Sequence, residues 1–345
     1  MEKSKFIPYG RQEVTKEDVD AVVKVLYSDF LTQGPAVPTF EQGLCNYTEA
    51  KYAVAVNSCT SALHIACLAL GLGHGDILWT SPITFVATAN CIVYCGAKPV
   101  FADIDAKTYN ILPGEIEKKI TERTKAIIPV HFAGQSCDME AIVNIVKTAE
   151  KKYGRKIYII EDACHALGGK YEINNKSYVG SCKYSDLSTF SLHPVKSITT
   201  GEGGMLVTND DNLAEAVRKM RDHGASKSDL ERHLKEGGSL LPEYNMLGFN
   251  YRMTDLQGAI GTVQIDKAET IIQGRQEAAA RYDNLLKEIP EIRKPFAPEG
   301  YTHSYQSYVC LYKANSAELR DESSIDWDQV EKWNRERNRL MAELE

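Results

Sequence analysis

The sequence predicts an α/β fold, a mostly parallel central sheet with flanking helices joined to a smaller α+β domain. Three observations predict it. Short apolar runs alternate with helical patterns from about residue 52 to 225, the signature of repeated strand–helix units. A long helical pattern follows from Asp255 to about Leu286, with Leu256, Ile260 and Val263 on one face. The 345 residues, 43% apolar and 25% charged, suffice to bury a sizeable core. On this reading residues 36–250 form the large α/β domain, and residues 1–35 and 251–345 form the smaller one, which includes the long linking helix.

Taken in order, Ala53–Val56 reads as the first strand, and the helix after it carries Leu63, Ala66, Cys67 and Leu70 at i, i+3, i+4 and i+7. Between them lies Asn57-Ser58-Cys59-Thr60-Ser61. Hydroxyls and free amide N–H groups at a helix N-terminus make an anion site, so Thr60 and Ser61 are candidate phosphate ligands; taken alone, the stretch reads more simply as a plain N-cap. Ile77–Thr80 forms the next strand and leads to Phe85, either a core aromatic or a flat surface for a ring. Strands follow at Pro99–Ala102, Ala126–Val130 and Ile157–Ile160. The last ends at Asp162, and ligands gather at the carboxyl ends of buried parallel strands; the simpler reading of Asp162 is a helix N-cap. An apolar stretch precedes Ser191-Leu192-His193-Pro194-Val195-Lys196 and the glycine-rich Gly201–Gly204, and Met205–Thr208 reads as a further strand. Gly203 and Gly204 let the backbone turn closely. An amphipathic run from Trp327 to Leu344 comes last.

Lys196, Asp162 and the hydroxyl cluster together are the three things pyridoxal 5'-phosphate (PLP) requires: an amine for its aldehyde, a carboxylate to keep the ring nitrogen protonated, and a cradle for its phosphate. Ser191 is a third candidate phosphate ligand, and His193 lies close enough to touch the same site.

Four ordered segments carry a resemblance: Leu31-Thr32-Gln33-Gly34-Pro35, Glu161-Asp162-Ala163-Cys164-His165, Ser191 to Gly204, and Gly248-Phe249-Asn250-Tyr251-Arg252-Met253-Thr254-Asp255. From about Pro8 to Tyr312 the chain resembles the DegT/DnrJ/EryC1/StrS family of PLP-dependent nucleotide-sugar aminotransferases, of fold type I among PLP enzymes. The resemblance implies that Lys196 is the Schiff-base lysine and proton shuttle, that Asp162 pairs with the pyridinium nitrogen, that His165 contacts the ring's phenolic oxygen, and that Phe85 stacks on the ring. It implies that Thr60, Ser61 and Ser191 hold the phosphate together with Asn250 of the partner subunit, in a homodimer with a shared active site. Tyr9, Gln33, His303, Tyr305 and Gln306 fall where relatives meet the sugar nucleotide. The Thr32–Pro35 variant, with Val130–Gln135 and Cys137–Met139, is most similar to the branch that makes UDP-4-amino-4,6-dideoxy-N-acetyl-altrosamine on the way to pseudaminic acid. The implied amino donor is glutamate. In relatives a further segment follows the last helix, so the resemblance also raises the expectation of a shortened end at Glu345. Other readings stay open: an aminotransferase for a 3-keto or dTDP-linked sugar, a PLP-dependent sugar dehydratase (against which Lys196 argues, since those relatives carry histidine there), or an idle PLP-fold module serving in assembly.

Composition narrows the partners. A formal net charge of -7 gives no global attraction for nucleic acid or anionic membrane, and no stretch approaches the roughly 18 apolar residues of a membrane span. No apolar run of signal-peptide length follows the first residues, which predicts an unsecreted, cytoplasmic protein. The nine cysteines are odd in number and lack paired spacing, which predicts reduced thiols. Cys91 and Cys95, at i and i+4, and Cys164-His165 are the only hints of a metal site, and none is expected.

Overall fold

A computed structural model describes residues 10–171, 177–226, 243–312 and 327–344. Its centre is a seven-stranded sheet built from β1 (Tyr52–Val56), β2 (Ile77–Thr80), β3 (Lys98–Phe101), β4 (Thr124–Ile128), β5 (Tyr158–Asp162), β8 (Leu187–Ser191) and β9 (Gly204–Thr208), in the order β1-β9-β8-β5-β4-β2-β3. Strands β3, β2, β4, β5 and β8 run parallel, and β9 runs antiparallel to both β8 and β1. Two small hairpins, β6 (Lys170–Tyr171) with β7 (Ser177–Tyr178) and β10 (Ile292–Arg293) with β11 (Leu311–Tyr312), lie outside it.

Side-chain alternation divides the core between the two faces of this sheet. Ala53 and Ala55 of β1 and Met205 and Val207 of β9 join one buried cluster with Phe40, Leu44, Ile142 and Val146. Val54, Val56 and Leu206 point the other way, into a cluster with Leu63, Ile65, Ile92 and Val217. The first face is covered by α2 (Ala36–Thr48), α5 (Pro113–Lys119) and α6 (Met139–Tyr153), the second by α3 (Cys59–Ala69), α4 (Val86–Tyr94) and α7 (Asp211–Arg221). Strands covered on both faces read as apolar runs, which makes five of the seven visible in the sequence, and the partly exposed edge strand β3 is visible as a short apolar run. The seventh, β8, is Leu-Ser-Thr-Phe-Ser. The sequence marks it only as an apolar stretch before Ser191, since three of its five residues carry hydroxyls; Ser188 and Thr189 are fully buried, and the Thr189 hydroxyl donates to the Glu161 carbonyl at 3.4 Å.

The long C-terminal helical pattern appears as α8 (Asp255–Asp266) and α9 (Ala268–Leu285), separated at Lys267. Leu256, Ile260 and Val263 are half-buried, and the buried stripe of α8 is Gly258, Ala259, Gly261, Gln264 and Ile265. The small residues set the distance to α2: a Cβ on Gly258 would lie 2.9 Å from the Val37 nitrogen, and one on Gly261 2.6 Å from the Phe40 ring. The buried Asp255 carboxylate accepts from the backbone N–H groups of Gly34 (2.5 Å) and Val37 (3.0 Å), placing negative charge at the α2 N-terminus, where the helix dipole favours it. Helix α1 (Lys16–Leu26) packs on the same helix α8. The run from Trp327 to Leu344 forms α10. Among the described residues no helix is long and apolar enough to cross a membrane.

Candidate active site

The carboxyl ends of β2, β5 and β8 open onto one cavity of about 600 Å³. Its wall contains Thr60, Phe85, Asp162, His165, Ser191 and Lys196, residues that lie up to 136 positions apart in the chain. Topology contributes to this location, since β2 and β4 are neighbours and the chain leaves β2 for β3 on one side and β4 for β5 on the other, a reversal that opens a crevice beyond the carboxyl ends of the strands.

Asp162 ends β5 and is 3% exposed. The Thr88 hydroxyl donates to its Oδ2 at 2.7 Å, and the Cys164 backbone N–H donates to its Oδ1 at 3.2 Å. Thr88 in turn shares a 2.7 Å contact with the Thr84 hydroxyl. Thr88 escaped the sequence reading; it sits three residues into the helix after Phe85 and only the fold brings it to β5.

His165 is held neutral. Burial, then the nearby Lys196 charge, push its pKa down to about 4, against an opposing pull from Asp162. Its Nδ1 accepts the Ala133 backbone N–H at 3.2 Å, so the ring's proton resides on Nε2. Ala133 has a left-handed backbone (φ 54°) and Gly134 follows at φ 105°, the tight turn that aims this N–H at the ring.

Behind the site Glu161 points to the opposite face of the sheet. It is fully buried and accepts from His131 Nε2 at 2.7 Å and from the hydroxyls of Tyr171 and Ser185. Burial alone would raise this carboxyl; the hydrogen bonds led by His131 outweigh it and hold the group below the usual range. His131 Nδ1 accepts from the Cys137 N–H at 3.0 Å, so a neutral imidazole makes that donation.

The N-terminus of α3 forms the opposite wall. Ser58 caps the helix by accepting from the Ser61 N–H at 3.1 Å. Ser61 is buried, and its hydroxyl donates inward to Asn57 at 2.6 Å; Ser58 and Thr60 are the hydroxyl residues of this turn that line the cavity. Gly203 lines it as well, and Gly204 begins β9 so close to the Ser58 backbone that any Cβ there would collide with it.

Lys196 sits on the connection between β8 and β9, held at the backbone from outside. Arg275 of α9 donates to the Lys196 carbonyl at 3.2 Å and to the Gln306 carbonyl at 3.0 Å, and the Gln306 side chain donates to the Val195 carbonyl at 2.9 Å. Arg275 also escaped the sequence reading, because its partners are carbonyl oxygens, which leave no trace in residue type.

The remaining candidates lie elsewhere. Gln33 lines a separate cleft of about 650 Å³ between α2 and α7. That cleft is slightly larger, but it contains neither Lys196 nor Asp162, and we place the chemistry in the smaller cavity on that ground. His303 is buried, accepts from the Tyr305 N–H at 2.9 Å and stacks on the Tyr305 ring at 3.9 Å between centroids. Gln306 is likewise buried. Asn250 is exposed, in a bridge to Asp222, and does not line the cavity of its own chain. His193 is at the rim, 4.0 Å from Glu202. Tyr9 lies outside the described residues. Among the described residues, no cluster of His, Cys, Asp and Glu suits a metal ion.

The donor set fits PLP: an amine at Lys196, a buried carboxylate at Asp162 and hydroxyls with free N–H groups at the start of α3, all in the wall of one cavity.

Comparison with known proteins places the chain in a family. The spore coat polysaccharide biosynthesis protein SpsC of Bacillus subtilis is 40% identical over 307 residues, covering 89% of this chain and 76% of the relative. Among solved structures, Helicobacter pylori PseC, an aminotransferase involved in the biosynthesis of pseudoaminic acid, superposes with a TM-score of 0.79 at 36% identity, covering 90% of this chain and 79% of that one. The putative sugar aminotransferase Spr1654 of Streptococcus pneumoniae, solved in a PMP form, gives a TM-score of 0.81 at 29% identity over 90% of this chain and 79% of its own; a PLP form of it also matches. Residues 12–324 match the profile of one family, and this chain belongs to it: the DegT/DnrJ/EryC1/StrS aminotransferase family.

Proposed function

We propose that this sugar aminotransferase uses PLP to move the amino group of glutamate to a UDP-linked 4-keto-6-deoxy-hexose, giving a 4-amino-4,6-dideoxy sugar nucleotide, as a homodimer. The observation that carries the reading is the meeting of Lys196 and Asp162 in the wall of one cavity with the α3 N-terminus. Similarity to PseC at 36% identity favours the 4-keto substrate, and similarity to SpsC favours a polysaccharide precursor more generally.

Each residue has a defined task. The Lys196 amine would hold the cofactor's aldehyde and is the group positioned to move a proton at the α-carbon of the amino donor. The Asp162 carboxylate, oriented by Thr88 and the Cys164 N–H, keeps the ring nitrogen protonated. When bound, PLP supplies an electron sink that makes the α-proton of an amino acid removable. Neutral His165, with its proton on Nε2, donates a hydrogen bond to the ring's oxygen. Ser58, Thr60 and Ser191 offer hydroxyls to the phosphate, and the α3 dipole favours its charge. Phe85, 75% exposed on the cavity rim, covers the ring and shields the site from water.

Absorbance spectroscopy of the purified protein tests the reading. The visible band of a protonated lysine-bound cofactor is expected to bleach with glutamate and return with a UDP-linked 4-keto sugar. Bleaching that only a dTDP-linked or 3-keto sugar reverses would replace the substrate while keeping the class; water loss from the sugar without bleaching would replace the class. Lys196→Ala is expected to retain PLP noncovalently and to lose at least about a thousandfold in turnover, the scale of general acid–base catalysis.

A further inference from the structure

Two sulfur atoms face each other in the cavity wall. Cys59 opens α3 beside Thr60, Cys164 follows Asp162 by two residues, and their Sγ atoms are 3.1 Å apart. Both residues line the cavity. A second thiol pair, Cys67 and Cys91, is wider at 3.7 Å and fully buried between α3 and α4. A disulfide bond is about 2.05 Å long, so the cavity pair needs to close by about 1 Å, and the reagent that closes it can enter through the same opening as substrate.

We propose that Cys59 and Cys164 form an oxidative modification site, a dithiol that a small hydroperoxide converts reversibly into a disulfide. In the first step one sulfur attacks the peroxide, the O–O bond breaks, an alcohol or water leaves, and that sulfur carries a hydroxyl as a sulfenic acid. In the second step the other sulfur attacks it, the S–S bond forms, and the hydroxyl departs as water with the second thiol proton. The two sulfurs lose two electrons and the peroxide gains them. Contact with Cys59, burial and the Asp162 carboxylate hold the Cys164 thiol well above its ordinary range, so Cys164 rests protonated.

The position of the pair gives the bond a consequence. It ties the first turn of α3, which carries Ser58 and Thr60, to the turn after β5, whose Cys164 N–H holds Asp162 Oδ1 at 3.2 Å. A shift of about 1 Å in groups that position a reacting centre costs about 100-fold in rate. Bond formation itself is independent of which sugar the enzyme takes.

The test uses the holoenzyme, treated with hydrogen peroxide, alkylated with iodoacetamide, digested and weighed. The expected result is a peptide pair joined through Cys59 and Cys164, two hydrogens lighter than its reduced parts, with turnover reduced about 100-fold and both changes reversed by dithiothreitol. Cys59→Ala and Cys164→Ala are expected to give no joined peptide and no dithiothreitol-reversible loss; if either fails to fold, the peptide map of the unmodified chain decides. Full alkylation of both cysteines after peroxide, sulfinic or sulfonic acid at either one without a joined peptide, or a joined Cys67–Cys91 peptide instead would overturn the proposal. A joined peptide in a protein with no transaminase activity would leave it standing and sink the functional reading alone.

Discussion

His303 is 5% exposed, and burial pushes its pKa from 6.5 down to about 4. A histidine whose folded value is depressed takes up its proton only in the unfolded chain between those two values, so the stability it contributes is complete above about pH 6.5 and is lost as pH falls toward 4. The loss is on the order of 3 kcal/mol, at 1.36 kcal/mol for each unit. His165, depressed to about 4 as well, acts in the same direction and window. Thermal melts at intervals from pH 7 to 4.5 are expected to fall steeply for the native chain and less steeply for His303→Gln; parallel curves would show that the ring already titrates in the folded state. Arg275 makes a different prediction. It touches the Lys196 backbone, not its amine, so Arg275→Ala is expected to slow covalent capture of PLP by about 100-fold through misplacement of the tether, with the Lys variant restoring part of it. Borohydride trapping measures capture directly, and an unchanged trapping rate with lower stability would reduce Arg275 to a packing residue.

At the scale of elements, the two helices after residue 254 offer matched glycines with opposite expectations. Gly261 of α8 faces the Phe40 ring, where a Cβ would lie at 2.6 Å, while Gly274 in α9 has open space around its Cβ position. Gly261→Ala is expected to cost about 1–3 kcal/mol by overpacking, and Gly274→Ala to gain about 0.5–1 kcal/mol from helix propensity; urea denaturation midpoints separate them. The same helices show what was legible in the sequence. The apolar face of Leu256, Ile260 and Val263 was visible by its period, but the face that packs on α2 is built from glycine and alanine, which hydrophobic period does not mark. Strand β8 was only half seen for a related reason, since two of its buried residues, Ser188 and Thr189, carry hydroxyls and do not read as apolar. The strand ends and glycine-rich turn that carry Asp162 and Lys196 were legible because phosphate and ring chemistry demand particular side chains. Thr88, Ser58 and Arg275 were not, because a hydroxyl or guanidinium acquires meaning here only from what the fold sets beside it.

At the scale of the whole molecule, exposed apolar side chains include Leu31, Phe85, Val86, Tyr94 and Leu247, from 51% to 84% accessible. Apolar surface of this kind suits self-association, and Asn250, exposed and remote from its own cavity, suits a shared site. An equimolar mixture of Lys196→Ala protein and Asn250→Ala protein is expected to recover about a quarter of native activity, because half of the dimers are then mixed and each mixed dimer holds one intact site of two. No recovery on mixing, with exchange of subunits verified by mass, would place Asn250 outside the site.

Strands β8 and β9 are joined to each other at Ser191 and Gly204, so the twelve-residue connection that bears Lys196 is a closed loop with both ends fixed. On the proposed role of Lys196, a leash of this kind would keep the detached amine within arm's reach, and its return would compete with nothing in bulk solution. Effective molarities of tethered groups reach about 10⁵ M or more. Methylamine added to the Lys196→Ala protein therefore has to make up by sheer abundance what the hairpin supplies by confinement, and it is expected to restore only a small part of turnover.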